Sequence, residues 1–353
     1  MINFAVMEQS LPRVSVVTPV FNGAKYLRAC IESVLAQTYP NLDYTIVDNC
    51  STDGSLEIAQ EYARKHPRVK VHANKEFVGA IESHNIAFRL ISADAKYCKL
   101  LSADDWIYPE CISKLVDVAE RHPSVGIVGS YAINAYGIPW GRQPLGEEVL
   151  DGRWAVRSFL LGSLDCFFTP SSVLYRASLV RSEHAFFPGR APSADLEACL
   201  NCLRRSDLGF VHQILTFERI HNEAISAKVS AVNSQLMDRL RILLAFGPSF
   251  LDQAELKSRT EEQLSDYYSV LAVACVNFRN KEFWRLHRVG LTELGYSICS
   301  PRLAGAIVAK FLDLALNPKS TVERILRRVK TGQVRHTGAE AGSNSIRSFD
   351  SQR

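Results

Sequence analysis

The first 130 residues alternate between two hydrophobic patterns, and this alternation constrains the fold more than any other feature of the chain. Short β-branched segments such as VSVVTPV (14–20) and LDYTIVD (42–48) predict buried strands. The intervening segments, such as AKYLRACIESVLAQT, carry apolar residues at helical spacing. The joint RKHPRVKV recurs as ERHPSVGI, which indicates that one βα unit is reused. The pattern predicts an α/β fold with a mostly parallel sheet and helices on both faces.

Further along, the pattern changes twice. The region from about Ser130 to Ser230 is irregular and rich in Gly and Pro, as binding loops often are, and the region after it is helical up to about Val329. A chain of 353 residues is long enough for one large domain or two. We therefore predict an N-terminal extension (1–12), an α/β domain (13–230), a helical region (231–330) and a disordered tail (331–353).

The composition excludes several classes of protein. Hydrophobic residues make up 47% of the chain and charged residues 22%, which is typical of an ordinary soluble protein, and a net charge of +4 is too small to indicate a nucleic-acid partner. Nine scattered cysteines favour reduced thiols and a cytoplasmic location. The N-terminus does not resemble a signal peptide, and the longest apolar stretch, LAGAIVAKFLDLAL, is too short to span a bilayer.

Aromatic and polar residues stand where the predicted strands end. The first strand ends in Thr18-Pro-Val-Phe-Asn22, the second at Asp48, and the fourth in Ser102-Ala-Asp-Asp105. Because the carboxyl ends of parallel strands meet at one edge of a sheet, these residues should converge. Phe21 could pack on a flat base, Asp48 could accept a base N–H, and the acid pair suits Mg²⁺ or Mn²⁺ with substrate phosphates.

Each of these elements also has a simpler explanation. The segment TPVFN could be a turn that ends a strand, and Asp48 a loop acid. Asp104 could cap the helix that follows it, and Asp195, just before an apolar helical segment, could be an N-cap. The joint placement of TPVFN, Asp48 and Asp104 at successive strand ends favours a binding site.

The segment from Val14 to Ser55, VSVVTPVFNGAKYLRACIESVLAQTYPNLDYTIVDNCSTDGS, resembles the opening of the family 2 glycosyltransferases, which have the GT-A fold. LSADD stands where that family has its DXD motif, and the resemblance extends to about Ser226. It implies transfer of a sugar, with inversion, from a nucleotide-diphosphate sugar to a hydroxyl acceptor. UDP is the nucleotide expected from family frequency. The implied cofactor is Mg²⁺ or Mn²⁺, and the implied setting is bacterial surface polysaccharide or lipid-linked glycan synthesis.

The resemblance also implies roles for individual residues. Asp195, in PSADLEACLNCLR, matches the catalytic base, and His221, in FERIHNEAIS, matches a further contact to metal or diphosphate. Asp104 matches the principal metal ligand, with Asp105 as a supporting ligand. The implied donor-binding residues are Thr18, Pro19, Val20, Phe21, Asn22, Asp48, Ser83, Asn85, Ser102, Ala103, Asp104 and Arg219.

Three positions depart from the family pattern. Ser102 stands where many members have the first Asp of the DXD motif, Asn49 replaces a frequent second acid, and Ser83 stands where many members carry an arginine. These departures bear on which nucleotide and sugar fit, and they leave Asp104 and Asp195 in place.

Two other functions fit the same residues. A metal-dependent nucleotidyltransferase or phosphatase could use the acid pair, and it would release pyrophosphate or phosphate without sugar transfer. A non-catalytic sugar-nucleotide-binding protein of the same fold would need neither Asp104 nor Asp195. The sequence contains no G-x-x-x-x-G-K pattern, which argues against an ATPase.

The C-terminal region joins an apolar helical pattern to a basic end. The stretch from Lys319 to Arg335 holds six Lys or Arg and one Glu. One interpretation is a helix that lies on the anionic inner face of the cytoplasmic membrane, close to a lipid-linked acceptor. The other is a core-packing helix followed by a solvated basic end.

Overall fold

The computed structural model describes residues 11–138, 143–164, 169–188, 193–220, 235–277 and 279–316. The chain divides into two compact units, of which the first ends at Glu261 and the second begins at Glu262. Within those described ranges, none of the helices has the length and apolar character needed to cross a membrane.

The first unit is built on one mixed sheet. Its strands are β1 (Val14–Val20), β2 (Leu42–Asp48), β3 (Val69–Ala73), β4 (Tyr97–Leu100), β5 (Trp106–Ile107), β6 (Val125–Ile133), β7 (Val149–Leu150), β8 (Val173–Arg176) and β9 (Asp207–Phe217). They lie in the order β3-β2-β1-β4-β8-β6-β9-β5, and β7 pairs with β9.

Eleven helices accompany these strands in the described part of the chain. They are α1 (Ala24–Leu35), α2 (Ser55–Lys65), α3 (Ala80–Arg89), α4 (Cys111–Arg121), α5 (Gly152–Leu160), α6 (Ala177–Arg181), α7 (Ala194–Cys202), α8 (Gln235–Phe250), α9 (Gln253–Val276), α10 (Lys281–Glu293) and α11 (Pro301–Leu316). A 3₁₀ turn covers Pro170–Ser172.

The central strand β1 shows why these sequences form a buried sheet. It pairs in parallel with β2 on one side and β4 on the other, and its alternate residues enter the two cores on opposite faces of the sheet. Val16 packs in the core that includes α1 and α4, whereas Val17 packs in the core that includes α3, α5 and α7. Because both faces are covered, every residue of β2 is buried, and six of the seven residues of β1 are buried as well.

Two features of the sheet refine the sequence prediction. The fourth strand ends at Leu100, before the predicted end segment Ser102-Ala-Asp-Asp105, because the chain turns there and the Asp105 N–H donates to the Ser102 carbonyl (3.0 Å). The strands up to β4 are parallel, whereas β8 inserts antiparallel between β4 and β6. The α/β fold class is confirmed, with a parallel first half and a mixed second half.

The helical C-terminal region begins inside the first unit. Helix α8, which the sequence analysis places after residue 230, contributes Ile242, Leu243 and Phe246 to the core that also holds α5 and α7. In the second unit the buried His287 of α10 is hydrogen-bonded through Nδ1 to the hydroxyl of Tyr267 (2.7 Å), and Phe283 packs on its ring. The predicted tail, 331–353, lies outside the described residues.

Candidate functional site

The carboxyl ends of β1, β2 and β4 lie side by side at one edge of the sheet. Val20 is in register with Asp48 across the β1–β2 pair, and Val17 is in register with Leu100 across the β1–β4 pair. The residues that follow each strand therefore come together as the topology predicts, and we call this edge the rim.

Not every residue of the TPVFN segment reaches the rim. Thr18 is buried inside the sheet, where its Oγ1 accepts a hydrogen bond from the Tyr44 hydroxyl (2.9 Å). Val20 is buried and Pro19 half-buried. Phe21 and Asn22, just beyond the strand, are exposed. The part of this segment that is accessible to a ligand is therefore its last two residues.

Asn22 holds the rim loop in a fixed shape. Its backbone has a left-handed φ of 51°, a conformation that asparagine tolerates better than most residues. Its N–H donates to Ser51 Oγ (3.0 Å), and its Oδ1 accepts from the Thr52 N–H (2.8 Å). Asp53 Oδ2 accepts from the Ala24 N–H (2.9 Å), at the start of α1. The loops after β1 and β2 are thus tied together before any ligand binds.

An exposed pair of aromatic rings flanks the rim. Phe21 is 51% exposed and Phe77, in the loop before α3, is 59% exposed. Their ring centroids are 4.8 Å apart with the planes tilted by 57°. Single exposed apolar side chains are common, whereas two adjacent exposed rings form a contiguous apolar patch that suits a ligand. No local sequence pattern marks Phe77, because only the folded loop brings it next to Phe21.

Asp48 presents a carboxylate that is only partly satisfied. It is buried at the end of β2, and its Oδ2 accepts from the Ser51 N–H (3.2 Å). Its Oδ1 is buried and makes no hydrogen bond to any of the residues that the structure describes. Since buried polar atoms in proteins are nearly always paired, this oxygen is suited to an N–H of a ligand.

Asn49, the neighbour of Asp48, has a different task. Its Oδ1 accepts from the Val78 N–H (3.0 Å), and its Nδ2 donates to the Val78 carbonyl (2.8 Å). The amide thereby holds the loop that carries Phe77. Asn49 stands where the family pattern has a second acid. A carboxylate there could not hold the loop in the same way, because it has no N–H to donate to the Val78 carbonyl.

The two adjacent acids after β4 lie in different environments. Asp105 is buried, with Oδ1 accepting from the Arg219 N–H (2.9 Å) and Oδ2 accepting from Ser171 Oγ (2.5 Å). Burial, with the charge of Asp104 beside it, raises the pKa of Asp105 to about 7. Asp104 is half-buried, and its carbonyl accepts from Arg219 Nε (3.1 Å). Both carboxylate oxygens of Asp105 are therefore occupied by hydrogen bonds within the protein, and Asp104 is the more accessible acid.

Ser171, in the 3₁₀ turn, links several of these groups. Its Oγ accepts from the Ser102 N–H (3.1 Å), and its carbonyl accepts from Lys99 Nζ (2.5 Å). Lys99 is fully buried on β4, and burial lowers its pKa. The sequence did contain a signal for Lys99, a lysine inside the apolar run YCKLL, whereas nothing local marked Ser171. Ser102 and the half-buried Ala103 are held at the rim by this turn.

Glu218 is a further acid of the site, and no local sequence pattern marks it. It follows Phe217, which is in register with Trp106 across the β5–β9 pair, so it lies beside Asp105. It is buried, and Thr169 Oγ1 donates to its Oε1. Burial, together with the charges of Asp104 and Asp195, raises its pKa to about 7.

Asp195 lies in the first turn of α7. Ser193 occupies the N-cap position, so Asp195 is not the cap, although its Oδ1 accepts from the Leu196 N–H (2.8 Å). Burial raises the pKa of its carboxyl group to about 6, with a further contribution from the charge of Asp238. At neutral pH this carboxylate is ionised, and its pKa is close to that of an effective general base.

Two other predicted residues lie on α3. Asn85 is buried and forms two hydrogen bonds with the backbone of Phe187, from Nδ2 to the carbonyl (2.9 Å) and from the Phe187 N–H to Oδ1 (2.8 Å). Ser83 is also buried. Asn85 therefore attaches the chain that precedes Asp195 to α3, and its predicted contact with a donor remains a prediction.

Of the predicted phosphate-binding and metal-binding residues Arg219 and His221, the structure describes only Arg219. The guanidinium of Arg219 lies over the ring of Tyr26, 4.5 Å from its centroid, which keeps the charge near the rim. His221 lies outside the described residues. Among the residues that are described, no group of three or more His, Cys, Asp or Glu side chains is arranged to hold a metal ion by itself.

Comparison with known proteins identifies the domain. Residues 15–182 match the family model described as glycosyl transferase family 2. The putative teichuronic acid biosynthesis glycosyltransferase TuaG of Bacillus subtilis is 32% identical over 154 residues, which are 43% of this chain and 60% of TuaG. The match thus spans less than two thirds of that relative's own length. The segment 15–182 belongs to the family 2 glycosyltransferases.

Solved structures confirm the GT-A-type fold. TarS of Staphylococcus aureus, a poly(ribitol-phosphate) beta-N-acetylglucosaminyltransferase, superposes in its complex with UDP with a TM-score of 0.59 at 18% identity, over 79% of each chain. The mannosyltransferase PcManGT of Pyrobaculum calidifontis, in complex with GDP-Man and Mn²⁺, gives a TM-score of 0.55 at 17% identity, over 87% of this chain and 88% of the other. At these identities the likeness concerns the fold.

Proposed function

We propose that this chain transfers a sugar from a nucleotide-diphosphate sugar to a hydroxyl group, with inversion at the anomeric carbon. The observation that carries the proposal is the arrangement of acids. Asp104 is the accessible acid at the rim, Asp195 is an ionised carboxylate on a separate helix, and Glu218 interacts electrostatically with both. Membership of the family 2 glycosyltransferases supports the same reaction.

The nucleotide is proposed to bind at the rim beside β1 and β2. Phe21 and Phe77 offer exposed ring surface to the base, and the Asp48 Oδ1, which has no hydrogen-bond partner in the described part of the chain, suits an N–H of the base. Uracil has such an N–H, and UDP is the ligand in the TarS complex. We therefore propose a uridine nucleotide as the donor.

The residues present fit a divalent cation at Asp104. The donor set at the rim is made of carboxylate oxygens, which Mg²⁺ and Mn²⁺ prefer, and the charge of Asp104 adds to burial in raising the pKa values of the neighbouring Asp105 and Glu218. Asp104 would hold the ion together with the diphosphate, and Asp105 would hold the loop. His221 is proposed as a further contact. Such an ion, when bound, neutralises charge on the departing diphosphate.

Asp195 is proposed to act as the general base. As the acceptor oxygen attacks the anomeric carbon, the proton of the acceptor hydroxyl moves to the Asp195 carboxylate. The bond between the anomeric carbon and the phosphate oxygen breaks on the opposite face, and the nucleoside diphosphate leaves with the electron pair. Arg219, held near the rim by its contacts with Asp104 and Tyr26, adds positive charge close to the phosphates.

The acceptor is proposed to be a bacterial surface polysaccharide or a lipid-linked glycan. TuaG is named for teichuronic acid biosynthesis, and TarS acts on poly(ribitol phosphate), as its name states. A cytoplasmic location stays a prediction from cysteine usage. The proposed donor site consists of those predicted residues that reach the rim, together with Phe77.

Replacing Phe77 with alanine is expected to raise the dissociation constant for UDP by about 5- to 150-fold. Stacking of a base on an aromatic ring contributes about 1–3 kcal/mol, and each 1.4 kcal/mol is about tenfold in affinity. Isothermal titration calorimetry with UDP and Mn²⁺ measures the effect. Trp154→Ala is the matched control, because Trp154 is also a large exposed aromatic side chain, on α5. Equal affinities of the wild type and Phe77→Ala would remove Phe77 from the base site.

A further inference from the structure

Helix α11 of the second unit has two apolar faces. Leu303, Ala306 and Ile307 are partly buried, and Lys310 completes the same i, i+3, i+4, i+7 row. This row is the side of the helix that is partly covered. A surface helix with one covered stripe normally has polar residues on its other side.

The other side of α11 is apolar and exposed. Val308, Phe311, Leu312 and Leu316 are 58%, 56%, 55% and 76% exposed. Their spacing of i, i+3, i+4 and i+8 places them in one stripe, which we call the α11 stripe. At 100° per residue, Arg302 and Lys310 project outside this stripe. Four large exposed apolar side chains in one row are more than the scattered ones that soluble surfaces normally carry.

The sequence that follows the α11 stripe is strongly basic. Between Lys319 and Arg335 there are six Lys or Arg and one Glu, within 20 residues of Leu316. A second copy of this chain would bring the same positive charge to the contact and be repelled. An anionic lipid surface offers both apolar depth for the α11 stripe and negative charge for the basic segment.

We propose that the α11 stripe and the basic segment after it bind the surface of an anionic lipid bilayer. The helix lies along the interface with Phe311 and Leu312 in the boundary of the acyl chains, and the positive charge of the sequence after Leu316 favours anionic headgroups. The α11 stripe shares no residue with the rim, and the proposal does not rest on the proposed sugar transfer.

Vesicle flotation of the full chain tests the proposal. We expect the wild type to float with vesicles of phosphatidylcholine and phosphatidylglycerol and not with phosphatidylcholine alone. The variant Val308→Ser/Phe311→Ser/Leu312→Ser is expected to lower the bound fraction at least tenfold. Replacing Arg324, Arg327 and Arg328 with glutamine should abolish the preference for anionic vesicles. Val289→Ser is the matched control, because Val289 on α10 is 52% exposed and lies outside the α11 stripe.

Three results would overturn the proposal. These are wild-type protein that fails to float with anionic vesicles, flotation that the triple serine variant retains, and flotation that Val289→Ser loses equally. Circular dichroism and the thermal midpoint of each variant establish that it is folded. If light scattering shows a dimer that the triple variant loses, while no variant binds vesicles, the α11 stripe is an interface between copies and the lipid proposal fails.

Discussion

Replacing Asp195 with asparagine is expected to lower the kcat of sugar transfer by about 10²–10⁴-fold, the contribution typical of a general base. Donor affinity should stay near the wild-type value, because the proposed nucleotide contacts lie at the ends of β1 and β2. The fold should survive, since an asparagine oxygen can still accept from the Leu196 N–H. Initial rates of the wild type and variant with a matched donor and acceptor measure the loss.

The pH dependence of the same enzyme gives an independent test of Asp195. The carboxylate must be ionised to accept a proton, and its pKa is raised to about 6, so kcat/KM should fall as the pH drops below about 6. The residual activity of Asp195→Asn should lack this fall. Asp151→Asn is the matched control, because Asp151 also accepts a backbone N–H at the start of a helix, from Trp154 (2.7 Å). Near-wild-type transfer by folded Asp195→Asn would refute its role as base.

Replacing Asp104 with asparagine is the second large effect we expect. The variant should lose about 10²–10³-fold in transfer rate, the size seen when one group that stabilises developing charge is removed. It should also need much more Mn²⁺ for half-maximal activity. Rates measured against Mn²⁺ concentration, after exhaustive chelation of the starting protein, give both quantities.

Replacing the neighbouring Asp105 with asparagine is expected to affect stability more than metal binding. The Asp105 carboxylate accepts from two donors, Ser171 Oγ and the Arg219 N–H. In Asp105→Asn only one oxygen remains to accept, and the new amide N–H₂ faces the other donor. We expect a loss of about 1–3 kcal/mol in the free energy of unfolding, measured with urea, and a smaller change in Mn²⁺ requirement than for Asp104→Asn. Full transfer after chelation, or the same Mn²⁺ dependence in wild type and Asp104→Asn, would contradict the assignment of the metal acid.

Local patterns were sufficient to predict the first half of the sheet. The bounds of β1 and β2 match the predicted segments, because both strands are buried on both faces and their apolar runs end at polar loops. The order of parallel strands then places Phe21, Asp48 and Asp104 at one edge. For these residues the topology follows from the sequence.

The remaining parts of the site depend on contacts between distant segments. Ser171 lies 66 residues from Asp105, and Arg219 lies 114 residues from it, and no local pattern encodes these pairings. Glu218 reaches the acids only through the antiparallel β5–β9 pair, and Phe77 reaches Phe21 only through the loop that Asn49 holds. A hydrophobic pattern predicts which elements form, whereas the pairing of β8 and β9 is a property of the whole sheet.

The bond that breaks in the donor tests the central claim most directly. ³¹P NMR of nucleotide sugars, incubated with the full chain, Mn²⁺ and a surface-polysaccharide acceptor, identifies the phosphorus products. We predict that a nucleoside diphosphate accumulates in an amount equal to the sugar incorporated, and that both products fall together in Asp195→Asn. Accumulation of a nucleoside monophosphate with a sugar phosphate, or of inorganic phosphate without sugar incorporation, would contradict sugar transfer and favour a nucleotidyltransferase or phosphatase.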